Sequence, residues 1–306
     1  DEAGRPRQTT GVVGALELTP PGQGIVPHEH TTPKDKADRL SLLRKCRANL
    51  SPIWVLTPGS GLSELCEPTG PPEARATDDD GVHHRLWRIT RPATLDAVSE
   101  LVGGDNVIVA DGHHRYETGL TYREERREAN GGAPGAYDAI MACVVELSEE
   151  QLMVHAVHRL VSGLPEGTDL LGTLSEHFDI AEAGSVAPGA LSAAMADTGG
   201  MALVTGSGAW LLRPRPGSAA ADEDVDSWRL DVALKSLPEH TVSFQHGADR
   251  AVEEVRSGRA QAAVLLRPVT VAQIAATGEG GRLLPPKTTF FQPKLRTGMV
   301  FREVPG

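Results

Sequence analysis

The chain has 306 residues, enough for one large domain or two smaller ones; 40% are hydrophobic and only 4% aromatic, so the core must be largely aliphatic. A net charge of −11 excludes a general nucleic-acid binder, which needs a basic face against phosphate. No apolar run approaches the ~18 residues that span a bilayer, and no charged-then-apolar leader opens the sequence, so neither a membrane partner nor secretion is expected.

In chain order, Val12 to Leu18 reads as a strand, broken by Pro20-Pro21-Gly22. The segment His28-Glu29-His30 precedes a helix that Asp35 or Asp38 can cap, with Leu40, Leu42, Leu43, Cys46 and Leu50 near helical spacing. Ile53 to Leu56 is a short strand, and residues 57–83 are loop-like. Within that loop the run Asp78-Asp79-Asp80 reads as a solvated turn. Arg85 to Ile89 alternates like a strand, and Thr94 can cap a helix to Leu101.

Val107 to Ala110 is a buried strand that runs through Asp111-Gly112 into a long helix carrying Tyr116, Leu120 and Tyr122. Strands are expected at Tyr137–Leu147 and Leu152–Val161, a helix at residues 167–178, and helix with loops at 182–200. Met201–Val204 and Ala209–Leu212 read as a hairpin. Trp228–Leu234 is strand or helix, Val252–Ser257 helix, Ala262–Leu266 strand and Val271–Thr277 helix. A Pro- and Lys-bearing tail, 284–302, leads to a last strand at Met299–Phe301. The pattern predicts an α+β fold, a mixed sheet with flanking helices. The division expected is a core domain, 1–165, and a second α/β lobe, 166–306, whose tail returns to the site.

The densest chemistry lies in Asp111 to Thr118. Gly112 lets the backbone turn tightly, and the helix that follows presents backbone N–H groups and a positive dipole end to an anion. Arg115 can clamp phosphate or carboxylate through two parallel hydrogen bonds. His113 and His114 can donate to the same anion or move protons near neutral pH. Asp111 can orient a histidine or hold Mg²⁺ beside a polyphosphate.

Glu29 is a candidate base, and His28 with His30 could share a metal. In the tail, Lys287, Thr288 and Lys294 could bind phosphate; Phe290 and Phe291 could equally pack a closing strand. His158 and Arg159 end a strand where they could face a cleft, whereas His83-His84-Arg85 is expected in solvent. Cys46, Cys66 and Cys143 lie too far apart for a thiolate zinc site and fit a reducing cytoplasm.

These segments together resemble a bacterial family, domain-of-unknown-function family number 1015. Its ADGHHRYETAL-like stretch is matched by Ala110 to Leu120, with Gly119 where Ala is usual. Its HExT, DRL, N-x-SPI-like and HRL segments are matched by His28–Thr31, Asp38–Leu40, Asn49–Ile53 and His158–Leu160, and its closing tail by Pro285 to Val300. The family's usual chain has a further N-terminal segment. The turn Gly112 to Arg115 also looks like the phosphate-binding turn of the ParB/sulfiredoxin-like nucleotide-binding fold, which includes kinases of free serine.

The reading that follows is a nucleotide-dependent, kinase-like phosphotransferase on a small metabolite, such as a hydroxy amino acid like serine. ATP or ADP with Mg²⁺ would be the cofactor. Gly112, His114, Arg115, His158, Arg159, Lys287, Thr288 and Lys294 would bind the nucleotide, with Glu29, Asp111 and His113 catalytic. A non-catalytic nucleotide or phosphometabolite binder and a metal-dependent hydrolase are the alternatives, and monomer and homodimer are both open.

Overall fold

The structure is a computed structural model that describes residues 7–28, 33–280 and 282–305. The chain divides into two compact units: Asp1–Met153 with Ile274–Leu283 and Phe291–Gly306, and Val154–Gln273 with Leu284–Phe290.

In the first unit β1 (Gly11–Glu17), β2 (Ile25–Pro27) and helix α1 (Pro33–Cys46) come first. The helix opens at Pro33, ahead of Asp35 and Asp38, because proline's fixed φ suits a first helical position. β3 (Ala48–Asn49) and the fully buried β4 (Ile53–Thr57) follow. The expected loop 57–83 contains α2 (Leu62–Leu65) and β5 (Ala74–Thr77), which pairs antiparallel with β6 (His83–Leu86). Every residue of β5 is exposed, so it left no alternation to read. α3 (Pro92–Gly103) starts at Pro92 with Arg91 as N-cap, which places Thr94 inside it. β7 (Val107–Asp111), α4 (His113–Ala129) and β8 (Ala139–Glu146) complete this part.

The sheet order is β1-β8-β4-β7-β2. β1/β8 and β4/β7 are antiparallel, β4/β8 and β2/β7 parallel. Ile53, Val55, Val107, Val109, Ile140, Ala142 and Val144 form its core with Tyr116 of α4. Such burial of aliphatic side chains, at about 25 cal/mol per Å², is what holds helix to sheet.

The second unit begins with β9 (Met153–Ser162). The helix expected at 167–178 is only α5 (Leu170–Leu174), capped by Asp169, whose carboxylate accepts from the Gly172 N–H at 2.8 Å. Phe178 then starts β10 (Phe178–Glu182), its ring buried in the core. α6 (Pro188–Thr198), β11 (Met201–Thr205), β12 (Gly208–Pro214) and α7 (Asp226–Leu234) follow, with β11 and β12 forming the expected hairpin. β13 (Thr241–His246) was not legible: it is an edge strand, largely exposed and polar. α8 (Ala248–Arg256), β14 (Ala262–Leu265), α9 (Val271–Gly280), β15 (Thr289–Gln292) and β16 (Arg302–Glu303) finish the chain. The last strand is thus β16, not Met299–Phe301, because Arg302 pairs with Asn49 of β3. The sheet order is β10-β12-β11-β14-β9-β13, with β15 also on β9.

The architecture is mixed α+β, as the alternation of patterns predicts. Among the described residues no helix is long and apolar enough to cross a membrane.

Candidate functional site

β7 is buried along Val107 to Ala110 and lies between β4 and β2. At its carboxyl end Asp111 faces Trp54 across the ladder, where the β4 register shifts by a bulge. Gly112 takes φ +99°, and a Cβ there would meet Ile53 Cγ2 and Arg115 Nη2, each at 2.9 Å. Both the backbone conformation and the space therefore require glycine. Gly112 is also the N-cap of α4, and as a glycine it makes no side-chain cap hydrogen bond of its own. Backbone N–H groups of the first turn and the dipole end together favour an anion there.

Arg115, in that first turn, is directed largely at protein acceptors. Its Nη1 donates to Ser51 Oγ at 2.9 Å and to the Pro52 carbonyl, and its Nη2 to Asp111 Oδ2 at 3.1 Å. Burial pushes the guanidinium down from its usual range; Asp111 opposes this and the nearby Arg39 adds to it. Lys294 Nζ lies 3.6 Å from the other Asp111 oxygen. Asp111 thus sits between two cations. Ser51, Pro52 and Arg39 were not read as site residues, although both of their segments, Asn49–Ile53 and Asp38–Leu40, stood out as motifs.

His28 follows β2 and is 0% exposed. Its Nδ1 donates to the Val109 carbonyl, and its ring centroid is 4.8 Å from that of His113. Desolvation holds the imidazole down to about 4. The Phe291 ring lies 6.1 Å from His28 and 5.7 Å from Trp54. His114 is half-buried, its carbonyl accepting from Thr118 Oγ1 at 2.6 Å. Glu29 and His30 lie outside the described residues.

His158, Arg159, Lys287 and Thr288 are brought together in the second unit. Arg159 is 1% exposed. Its guanidinium donates to the carbonyls of Val157 (2.8 Å), Lys287 (2.9 Å) and Pro286 (3.2 Å) and lies 4.7 Å from the Phe244 ring centroid. Thr288 Oγ1 donates to the Pro285 carbonyl at 2.8 Å and lies 3.0 Å from Ser227 Oγ. Leu266 N–H donates to His158 Nδ1 at 3.2 Å, and burial lowers His158 to about 4. Arg159 and Thr288 therefore hold the 284–288 segment in place.

The acidic run is more than a solvated turn. Asp78 Oδ1 accepts from the Asp80 and Val82 N–H groups at 3.0 and 2.9 Å, and Oδ2 from His84 Nε2 and Arg296 Nε at 2.8 and 2.7 Å. His84 is accordingly half-buried, while His83 and Arg85 face solvent as expected. Among the described residues no three His, Cys, Asp or Glu side chains cluster so as to hold a metal ion.

Residues 1–233 match the family described as "Protein of unknown function (DUF1015)". The chain belongs to that family. The closing Pro285–Val300 segment lies beyond the matched stretch. No curated protein matches this DUF1015 chain. Among solved structures it is similar to a mutant free serine kinase in complex with ADP, at 12% identity and a TM-score of 0.52 over 98% of this chain and 95% of that one. The same kinase mutant in complex with AMP gives 13% and 0.51 over 98% and 96%. A conserved hypothetical protein from Pyrococcus furiosus gives 14% and 0.47, over 98% of both chains. At these identities the likeness of this DUF1015 chain to the kinase structures is one of fold.

Proposed function

We propose that the chain is a nucleotide-dependent phosphotransferase acting on a small metabolite, with a hydroxy amino acid such as serine as substrate. The observation that carries this is the junction of β7 and α4. A buried strand ends on a left-handed glycine N-cap, a helix begins there, and Lys294 stands beside it at Asp111. That arrangement suits the phosphates of ATP or ADP, and the turn's likeness to the ParB/sulfiredoxin-like fold points the same way. The kinase structures of similar fold, in complex with AMP and ADP, add support.

In this reading the α4 N-terminus and His114 hold phosphate oxygens, and Lys294 offsets their charge. Arg115 fixes the turn by tying Ser51, Pro52 and Asp111 to the first turn of α4. His113 orients the bound phosphate. Glu29, one residue beyond His28, takes the proton of the attacking hydroxyl. Asp111 is the carboxylate that would hold Mg²⁺ brought in with the nucleotide, and the ion would supply charge neutralisation to the phosphates. Phosphoryl transfer requires chiefly such placement and charge.

A second reading, a binder of nucleotides or phosphometabolites without catalysis, is favoured by one feature. Asp111 is already paired with Arg115 and Lys294, which engages it with the protein's own cations rather than with Mg²⁺. A thermal-shift panel of ATP, ADP, CTP and inorganic phosphate tests the phosphate site. A shift that Lys294→Ala reduces supports it, and no shift with any of the four overturns it. Phosphoserine formed from ATP and serine then separates kinase from binder.

A further inference from the structure

The tail between Gln292 and Arg302 carries neither helix nor strand, yet Lys294 within it reaches Asp111. An irregular segment samples many conformations unless side chains tie it down. Two residues beyond Lys294, Arg296 makes such a tie. Its Nε donates to Asp78 Oδ2 at 2.7 Å and its Nη2 to Asp80 Oδ2 at 2.6 Å. Both carboxylates stand at the tip of the β5–β6 hairpin.

The tip is built to hold them. Asp78 N–H donates to the Val82 carbonyl at 3.0 Å and Gly81 N–H to the Asp78 carbonyl at 2.9 Å, with Gly81 at φ +78° closing the turn. Asp78 Oδ1 caps the turn from within through the Asp80 and Val82 amides, and His84 Nε2 braces Oδ2. The Asp78 side chain is only 10% exposed, so its carboxylate has one fixed orientation; Asp80, at 79%, completes the fork. A guanidinium gripped at two nitrogens is fixed in direction as well as position.

We propose that Asp78, Asp80 and Arg296 form a positioning clamp that sets Lys294 at the phosphate site. The proposal rests on the phosphotransferase reading for what Lys294 binds, and adds how it is held there. The β5–β6 hairpin is then an arm that grips the tail, and Lys294 is delivered within the ~7 Å of backbone that two residues span. Arg296 acts through Lys294 and does not itself touch the nucleotide.

The test is a double-mutant cycle on the full chain, read by calorimetric titration with ADP. Lys294→Ala and Arg296→Ala should each raise the Kd about tenfold, the loss expected for a charge-assisted contact. The double variant should bind no worse than Lys294→Ala alone. Asp80→Asn, at an exposed position that threatens no core, should show a smaller effect in the same direction, and Arg296→Lys should restore little. A second readout is the backbone order parameter of Lys294 to Thr297, expected to fall from about 0.85 to below 0.6 in Arg296→Ala.

Losses that simply add in the double variant, a wild-type Kd for Arg296→Ala, or an unchanged order parameter each overturn the clamp. No ADP binding by the wild-type chain, with the order parameter still falling in Arg296→Ala, instead overturns the nucleotide reading and with it the clamp's role toward phosphate.

Discussion

His113 Nε2 lies 3.2 Å from His28 Nδ1 and 3.4 Å from the His28 backbone nitrogen. His28 Nδ1 bonds the Val109 carbonyl, which only accepts, so that nitrogen carries the hydrogen. The His28 backbone N–H is then the donor directed at His113 Nε2, which puts the His113 hydrogen on Nδ1. This buried pair joins the carboxyl ends of β2 and β7.

Stability should therefore depend on pH in a defined direction. His28 and His158 both have folded values near 4, below the ordinary 6.5. Between those limits the unfolded chain binds more protons than the folded one. The stabilising contribution is fully present above about pH 6.5 and is lost as pH falls toward 4. For His28 alone the change is on the order of 3 kcal/mol. Urea midpoints measured from pH 7 to 4.5 should fall, and His28→Gln should flatten the slope by roughly one proton.

Gly112→Ala should destabilise the chain by about 1–3 kcal/mol, since the backbone conformation and the contacts with Ile53 and Arg115 both oppose a Cβ. Gly112→Asn separates the two causes. Asparagine tolerates positive φ, so equal damage from both variants assigns the loss to the collision. Chemical denaturation provides the measurement.

Arg115→Lys should behave nearly as badly as Arg115→Ala, with about 2 kcal/mol lost, because one ammonium cannot serve Ser51, Pro52 and Asp111 together. A lysine variant as stable as wild type would show that the fork is dispensable.

Arg159→Met keeps most of the buried volume and removes the donors for three carbonyls. A loss of about 3 kcal/mol is expected. Proteolysis should then open first within residues 284–288, the segment those bonds hold.

Thiol labelling should follow burial. Cys46 is exposed and should react first, Cys66 more slowly. Burial pushes the Cys143 thiol up to about 12, so it should label only on unfolding. Early modification of Cys143 would contradict the packing of β8.

The elements most legible in the sequence were those with strong internal pattern. The run Val107–Ala110 followed by Asp111-Gly112 announced the β7–α4 junction because burial, a left-handed glycine and a helix start leave separate marks. β5 and β13 left none, since pairing along an exposed edge needs backbone geometry and little hydrophobic alternation. The motif residues were visible; their partners were not. Asn49, Ser51 and Pro52 stand out locally, but nothing local says that Asn49 Oδ1 accepts the Met141 N–H at 2.9 Å or that Ser51 meets Arg115. The role of Asp78 is hidden for the same reason, because its partner Arg296 lies 218 residues away in sequence.

The pairing of Arg302 with Asn49 has a consequence for biosynthesis. β3 emerges from the ribosome and then waits while some 250 further residues are made. Val304, which packs with Tyr122 and Tyr137 beside Leu40 and Leu43, is likewise made long after the residues it packs on. The first unit can collapse around its central sheet during synthesis, but one seam stays open until β16 has been made. A nascent chain halted before β16 would present that seam to chaperones, so stalled intermediates of this protein should be bound there.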